Sequence, residues 1–107
     1  MEVPARLDRR PGYIVMEKEK VVIVLIGGKW HDKINGNTYY NTKIITHYEN
    51  GKTTIDYSGF AYGYGRCYYS EVRQEVEFAF EGFNYELSFI DGGSFFMNKR
   101  ECQKGWF

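Results

Sequence analysis

The sequence predicts an α+β fold, an antiparallel β-sheet of four to six strands with one helix, residues 66–81, packed on one face. Three observations support this prediction. Aromatic residues make up 19% of the 107 residues, and aromatic side chains suit the half-buried surface of a sheet. Two Asn-Gly pairs, at residues 35–36 and 50–51, mark turns between strand-like runs. Apolar residues with helical spacing occur in residues 66–81.

The size and composition of the chain predict one cytoplasmic domain. A length of 107 residues fits a single domain, residues 1–107, in which residues 1–12 form a flexible leader. Fourteen basic and fourteen acidic residues cancel, so no net field attracts nucleic acid or a membrane surface. The longest aliphatic run is far shorter than the about 20 residues of a membrane span. The N-terminus is too polar for a signal peptide, and two cysteines do not make a disulfide framework, which predicts reduced thiols in a cytoplasm.

The central element is predicted from the unbroken β-branched run Val21–Ile26, which fits a strand buried on both faces. The alternating charges of residues 17–20 before it predict a turn or an exposed edge. The pair Gly27-Gly28 after it predicts the end of the strand.

Residues 38–57 predict a β-hairpin. One strand-like run covers residues 38–48, and another covers residues 53–57. Residues 49–52 between them contain an Asn-Gly pair, whose left-handed backbone suits a tight turn. The earlier Asn-Gly pair at 35–36 predicts the turn that leads into this hairpin.

The next segment fits two periodicities. Residues 75–81 alternate between glutamate and apolar side chains, as a half-buried strand would. A longer set of apolar residues shares one face of a helix, and its polar opposite face favours the helix. Ser70 is expected to act as the N-cap and Gly82 as the C-terminal stop. The residues predicted to share the apolar helical face are Tyr68, Val72, Val76, Ala79, Phe80 and Phe83.

The last part of the chain predicts two short strands. Residues 85–90 alternate as a strand does, residues 91–93 contain a turn-forming Asp-Gly-Gly, and residues 94–97 form a last strand. The stretch 98–104 is polar and basic. Trp106-Phe107 then places two large rings at the end, which either dock on the domain or bind a partner.

A run rich in tyrosine and glycine, residues 59–69, is the candidate binding site. It holds four tyrosines and three glycines in eleven residues. Glycine lets the backbone adopt positive φ or approach another surface closely, and tyrosine supplies a large, stiff contact area with a polar tip. This combination predicts a shaped loop that binds a partner. The residues predicted to bind are Tyr62, Gly63, Tyr64, Gly65, Arg66, Tyr68, Tyr69 and Trp106.

Two other ligands fit parts of the sequence. Tyrosines on strands would stack the bases of single-stranded nucleic acid, although a neutral chain lacks the charge that drives most such binding. Residues 63–66, ahead of a helix, would hold a nucleotide or another phosphate-bearing ligand, although the full phosphate-loop and dinucleotide motifs are absent. The purely structural alternatives are cross-strand packing and a turn. The nucleic-acid platform would consist of Tyr39, Tyr48, Tyr57, Tyr62, Lys43 and Lys52.

The pattern of chemically reactive residues predicts neither an enzyme, nor a metal site, nor a cofactor. His31, His47, Cys67 and Cys102 are widely spaced, whereas structural zinc sites use close pairs of ligands. Cys67, beside Arg66, would act as a nucleophile only if the fold brought a histidine to it. The carboxylates are expected on the surface and in turns.

The motif Asn-Gly-Asn-Thr-Tyr-Tyr at 35–40, preceded by Gly27-Gly28 and followed by Tyr-Gly-Tyr-Gly at 62–65, resembles small uncharacterised proteins encoded by bacteriophages and prophages. The resemblance covers residues 27–80. It implies a mobile-element origin and an interaction role in a bacterial cytoplasm, with inhibition of a host defence system as one version of that role. The sequence as a whole predicts a small non-enzymatic protein that binds a protein partner, or a second copy of itself as a homodimer, and no membrane.

Overall fold

The computed structural model describes residues 18–106 and, before them, the backbone of two short strands, β1 (Ala5–Arg6) and β2 (Val15–Met16). β1 and β2 pair antiparallel, with Ala5 opposite Met16. Apart from Ala5–Arg6, the predicted leader of residues 1–12 lies outside the described residues.

Five strands form the main sheet. They are β3 (Glu19–Asp32), β4 (Asn37–Tyr48), β5 (Thr53–Tyr57), β6 (Ala61–Tyr62) and β7 (Tyr85–Phe96). Their order is β5-β4-β3-β7, and β6 pairs with the part of β4 that β5 leaves free. The helices are α1 (Cys67–Ala79), which packs on the sheet, and α2 (Lys99–Lys104). The predicted α+β fold is confirmed.

The sheet has two different faces. α1 lies across one of them, which we call the helix face, where Val21, Ile23 and Leu25 of β3 are fully buried against Val72 and Val76. The alternate residues of β3 point to the other side, which we call the open face, and are only half-buried. The predicted central strand is thus confirmed, but it is fully covered on one face and not on both.

β3 does not end at Gly27-Gly28, and the prediction that it does is wrong. The strand continues to Asp32. The role of each glycine is instead to leave room for a ring on one face of the sheet. A Cβ on Gly27 would lie 2.5 Å from Cγ of Tyr68 in α1, and a Cβ on Gly28 would lie 2.6 Å from Nε1 of Trp106. The pair therefore marks the row where rings approach the strand most closely from both sides.

The start of β3 also differs from the prediction. Glu19 and Lys20 already belong to the strand, so the turn or exposed edge predicted at residues 17–20 is wrong for these two residues. Glu19 is buried, with 2% of its surface exposed. The pairing of β3 with β7 extends the strand toward its N-terminus, since Glu19 lies opposite Tyr85.

β7 is one continuous strand. The turn predicted at residues 91–93 is wrong, because the strand passes through this stretch with a shift of register opposite Leu25 and Gly27. β7 runs parallel to β3, whereas the other pairs in the sheet are antiparallel. Parallel neighbours need a crossover connection, and α1 provides it by carrying the chain from the β5–β6 edge to the opposite edge.

Both Asn-Gly turns are present. Residues 33–36 join β3 to β4, and the φ of Gly36 is 74°. The predicted hairpin at residues 38–57 is confirmed as β4 and β5, and the φ of Gly51 between them is 93°. In each pair the glycine, and not the asparagine, adopts the left-handed backbone. Glycine tolerates this conformation without steric cost, which is why the two turns were predictable from sequence.

The helix predicted at residues 66–81 is confirmed as α1. The prediction of Ser70 as N-cap is wrong, since Ser70 lies inside the helix and Arg66 occupies the N-cap position without a capping side-chain bond. Gly82, with a φ of 86°, follows the end of the helix as expected. Phe83 comes after that end and is 66% exposed, so it does not belong to the buried face.

The polar stretch after β7 forms α2, which was not predicted. The side chain of Asn98 accepts a hydrogen bond from the Glu101 N–H at 2.8 Å, and Oε1 of Glu101 accepts one from the Asn98 N–H at 3.1 Å. This reciprocal pair is a capping box, and its Asn-x-x-Glu spacing is visible in the sequence. No helix in the described part of the chain is long and apolar enough to cross a membrane.

Candidate functional site

Five aromatic rings form a connected set of contacts, centred on Tyr39, at the end of the sheet nearest the β3–β4 turn. The ring of Tyr39 stacks against Trp30, at 5.6 Å between centroids, and against Phe60, at 4.8 Å. The ring of Tyr62 meets that of Tyr39 edge-on at 5.7 Å and that of Tyr64 at 5.4 Å. We call these five residues the aromatic ladder.

The register of three strands brings the ladder together. Trp30 of β3 is paired with Tyr39 of β4, and Tyr39 is paired with Tyr62 of β6. Paired residues point to the same side of a sheet, so these three rings form one row on the open face. Cross-strand aromatic pairs stabilise a sheet, and the inner rings of the ladder therefore also serve the fold.

The ladder has an exposed end and a closed end. Tyr62 is 57% exposed and Tyr64 is 50% exposed, whereas the other three rings are half-buried. At the closed end, Nζ of Lys99 lies 5.2 Å from the centroid of the Trp30 ring. The two outer tyrosines are thus presented to solvent with packed rings behind them.

The loop that carries the two outer tyrosines is held in one shape. The N–H of Gly63 donates to the carbonyl oxygen of Thr38 at 3.0 Å. Gly63 is buried, and a Cβ there would lie 2.8 Å from Cε2 of Tyr40, so glycine is needed for room. The hydroxyl of Tyr64 donates to the carbonyl oxygen of Gly36 at 3.1 Å, which ties the loop to the β3–β4 turn.

The last part of the predicted loop turns toward β7. Nε of Arg66 donates to Oδ2 of Asp91 at 3.0 Å, and the hydroxyl of Tyr68 donates to Oδ1 at 2.8 Å. Burial raises the pKa of Asp91, but the hydrogen bonds from Tyr68, from the Gly93 N–H and from Arg66 outweigh it and lower the pKa overall. The hydrogen bond to Asp91 in turn raises the pKa of Arg66.

The remaining predicted binding residues have structural positions. Tyr68 is buried in the core, and Tyr69 is half-buried beneath the guanidinium of Arg66, which lies 4.7 Å from its ring centroid. Gly65 has a φ of 58° and supplies the left-handed turn before α1. Trp106 docks on the domain, where its Nε1 donates to the carbonyl oxygen of Asn41 at 2.8 Å. The structure therefore brings Tyr62 and Tyr64 of the predicted site into the ladder and gives the others separate partners.

α2 and Trp106 cover the middle of the open face. The Asn41 side chain donates to the carbonyl oxygen of Cys102 at 2.7 Å, and the Cys102 thiol donates to the carbonyl oxygen of Gly28 at 3.4 Å. The ring of Phe95 contacts Trp106 edge-on at 4.9 Å. Burial raises the pKa of the Cys102 thiol to about 11, so this cysteine is a packed structural residue and not a nucleophile.

The tyrosines predicted to form a nucleic-acid platform do not share one side of the sheet. Tyr39, Tyr57 and Tyr62 lie on the open face. Tyr48 is paired with Val21 and therefore lies on the helix face. The predicted platform is divided between the two sides.

At the predicted phosphate site, residues 63–66, two of the donors that a phosphate would use have partners. The guanidinium of Arg66 forms an ion pair with Asp91 at 2.8 Å. The N–H of Cys67, the first of α1, donates to the carbonyl oxygen of Tyr64 at 3.1 Å. A phosphate at this helix start would have to displace both partners.

The histidines and cysteines have no shared centre. Nδ1 of His31 hydrogen-bonds with Thr38 at 2.9 Å, and Nδ1 of His47 hydrogen-bonds with Thr53 at 3.1 Å. Cys67 and Cys102 are free thiols. Across residues 18–106, no group of three His, Cys, Asp or Glu side chains could hold a metal ion.

Three ladder residues, Trp30, Tyr39 and Phe60, were not among the predicted binding residues, and Tyr39 was named only for the nucleic-acid platform. The signal for Trp30 lies in the turn: Trp30 and Tyr39 are placed symmetrically about residues 33–36, which predicts their pairing. Phe60 precedes β6, and no local pattern in the sequence predicts its contact with Tyr39.

Comparison of the chain with protein-family models, with the curated proteins and with the solved structures finds no match. Its function has to be inferred from the aromatic ladder and its surroundings.

Proposed function

We propose that this chain is a non-enzymatic binding protein whose aromatic ladder binds a protein partner. The observation that carries the proposal is that five contacting rings end in two tyrosines, Tyr62 and Tyr64, of which half or more is exposed. Tyrosine and tryptophan dominate binding hot spots, because they bury a large area and lose little conformational freedom. An exposed pair of tyrosines backed by packed rings has the composition of such a hot spot.

The rigidity of the ladder supports the same proposal. The hydroxyl of Tyr64 is bonded to the backbone of Gly36, and Gly63 between the two tyrosines is packed against Tyr40. Ordering flexible side chains costs about 0.5–1.5 kcal/mol for each one immobilised on binding. A surface that is already ordered avoids much of this cost, so a small contact area can still give useful affinity.

The charges around the ladder favour a polypeptide over a nucleic acid as the partner. Single-stranded nucleic acid requires several free Lys or Arg side chains for its phosphates. Near the ladder, Lys99 is stacked on Trp30, and Asp32 accepts hydrogen bonds from Asn35. A mixed, nearly neutral rim around apolar rings is what protein interfaces have.

The contacts of the histidine and cysteine side chains support a binding role without catalysis. His31 and His47 are each hydrogen-bonded to a threonine, and the Cys102 thiol is buried between α2 and the sheet. A nucleophile needs a base within hydrogen-bond reach. Neither histidine hydrogen-bonds to Cys67 within residues 18–106.

The origin and location of the chain belong to the proposal as well. Their support is the resemblance of residues 27–80 to proteins of bacteriophages and prophages. On that basis the partner is a protein of a bacterial cytoplasm, and a component of a host defence system is the version to examine first.

The test is affinity capture with matched variants. The immobilised chain, a Tyr62→Ala/Tyr64→Ala double variant and a Phe83→Ala control are each incubated with nuclease-treated bacterial lysate. Phe83 is the control because it is 66% exposed and lies beyond α1, next to the start of β7. We expect the partner captured by the wild type and by the control to fall at least about 30-fold with the double variant, as hot-spot losses of 2 kcal/mol or more imply.

Each other outcome counts against the proposal. Equal capture by the double variant would remove the ladder from the binding site. Capture from a parallel, untreated lysate that is absent from the nuclease-treated lysate would identify nucleic acid as the ligand. Circular dichroism of the double variant should match the wild type, and the purified partner then allows its dissociation constant to be measured for each variant.

A further inference from the structure

The open face carries a row of aliphatic side chains beyond the part that α2 covers. Ile55, Ile45, Val24 and Ile90 lie side by side across β5, β4, β3 and β7. Ile55 is 54% exposed and Ile90 is 49% exposed. On a sheet face that contacts water, the side chains that point outward are normally polar. A full row of β-branched aliphatic residues is instead typical of a face that packs against another layer.

The two neighbouring rows extend this surface. One contains Val22 and the other contains Ile26, and both residues are half-buried. Lys43 is the one lysine or arginine in the three rows, and its Nζ lies 5.6 Å from the centroid of the Trp106 ring, at the covered end of the face. The Val22 row also contains Thr53, His47 and Ser88, and the Ile26 row also contains Tyr57 and Lys43. The surface is therefore aliphatic along its central row and more polar on both sides, and it holds no carboxylate. We call its six aliphatic members the aliphatic patch: Val22, Val24, Ile26, Ile45, Ile55 and Ile90.

A glycine borders the patch on β7. Gly92 lies beside it in the β-bulge, and a Cβ there would be 2.6 Å from Cγ1 of Ile26. Glycine at this position keeps the edge of the patch from rising above the aliphatic side chains. A sheet face with a row of aliphatic side chains can pack against a second sheet, and two sheets pack face to face about 10 Å apart.

We propose that the aliphatic patch binds the same patch of a second copy of the chain. α1 and α2 are both occupied elsewhere in the fold. Residues 7–14 include the charged Asp8, Arg9 and Arg10, and unpaired charges are costly on an aliphatic surface. A second copy supplies an identical aliphatic surface in a two-fold arrangement, the commonest form of homo-oligomer, and opposes no carboxylates within the three rows.

The contact area of this dimer is that of the three rows, which includes the patch and the polar residues beside it. Three rows about 6.6 Å apart on four strands about 4.8 Å apart cover roughly 400 Å² per copy, or about 800 Å² in the pair. Stable interfaces bury about 1,200–2,000 Å² in total, and smaller ones belong to weak, exchanging complexes. We therefore expect a dissociation constant on the order of 10 µM, with association that does not weaken as salt is raised.

The experiment measures the mass of the full chain by sedimentation equilibrium from about 1 to 500 µM, at low and high salt. We expect the wild type to pass from monomer to dimer over this range. Ile90→Lys and Ile55→Lys should stay monomeric throughout, with unchanged circular dichroism and melting temperature, because both side chains are half-exposed in one chain. Phe78→Lys, on α1 and 77% exposed, is the control and should dimerise as the wild type does.

Three results would overturn the proposal. A wild type that stays monomeric to 500 µM, with Ile90→Lys as stable as the wild type, would leave the patch to a different partner. A monomeric wild type with a destabilised Ile90→Lys would mean that the chain's own N-terminal residues cover it. A dimer that persists in both lysine variants would lie on another surface. Because Tyr62→Ala/Tyr64→Ala should dimerise normally, failure of this proposal and failure of the ladder are distinguishable.

Discussion

At the scale of single residues, Glu19 is the most unusual side chain in the described part of the chain. It is 2% exposed, and neither of its carboxylate oxygens has a hydrogen-bond partner among the described residues. Removing a carboxylate from water costs several kcal/mol unless a partner compensates. The carboxylate is therefore expected to reduce the stability of the fold that surrounds it.

We predict that Glu19→Gln raises the free energy of unfolding by about 1–2 kcal/mol at pH 7, because the amide keeps the shape without the charge. Urea denaturation measures this change. Glu86→Gln is the matched control, since Glu86 is exposed opposite Lys20, and it should stay within about 0.5 kcal/mol of the wild type. A less stable Glu19→Gln would show that the carboxylate is favourable where it lies.

At the scale of elements, α2 is a short helix whose position depends on its N-cap and on its buried residue Cys102, which faces the sheet. A helix of this length is not stable alone, so its capping box and its docking on the open face hold it in place. We predict that Asn98→Ala, which removes the cap at a cost of about 1 kcal/mol, increases the open population of α2 about fivefold. The alkylation rate of Cys102 by iodoacetamide, followed by mass spectrometry in a Cys67→Ser background, should rise by the same factor.

The control for this prediction is another asparagine that holds a loop. The side chain of Asn50 accepts a hydrogen bond from the Lys52 N–H at 2.9 Å in the β4–β5 turn. Asn50→Ala should leave the alkylation rate of Cys102 unchanged, because the turn lies in another part of the sheet. Equal rates in Asn98→Ala and the wild type would mean that something other than the cap keeps Cys102 covered.

The elements also show which parts of the fold were predictable from sequence. The hairpin at 38–57 and α1 carry local signals, Asn-Gly turns and helical spacing, and both were predicted. Gly27-Gly28 was interpreted as the end of β3, because its true role depends on two rings brought from distant parts of the chain. The bulge in β7 was interpreted as a turn for a related reason. The pairing with β3 that makes β7 one continuous strand involves residues far away in the sequence.

The candidate site was likewise predictable only where its signal is local in the sequence. Tyr62 and Tyr64 were predicted from composition, and they do lie on the surface. The ladder behind them was not predicted, since it requires the register of β3, β4 and β6 and the position of Phe60. Arg66 and Tyr68 follow the two tyrosines closely in sequence but turn to Asp91 on the far edge of the sheet.

At the scale of the whole molecule, Asp91 joins the two ends of the crossover that α1 makes. It accepts hydrogen bonds from Arg66 and Tyr68 at the start of α1 and from the N–H of Gly93 in the bulge of β7. These bonds connect the segment that leaves the β5–β6 edge with the strand at the opposite edge. They also depend on the charge of the carboxylate, because an ionised carboxylate accepts stronger hydrogen bonds than a neutral acid.

The stability of the fold should therefore fall in acid partly through Asp91. Its pKa in the folded chain is lower than the about 3.9 of an unfolded aspartate. A carboxyl group with a lowered folded pKa contributes stability above its unfolded pKa, and this contribution is lost as the pH falls through the folded pKa. We predict that Asp91→Asn has a lower urea midpoint than the wild type at pH 7 and loses less of that midpoint between pH 5 and pH 2. Asp56→Asn, at an exposed carboxylate of β5, should lose as much as the wild type. An equal loss in Asp91→Asn and the wild type would place the acid sensitivity elsewhere and leave the crossover held by packing alone.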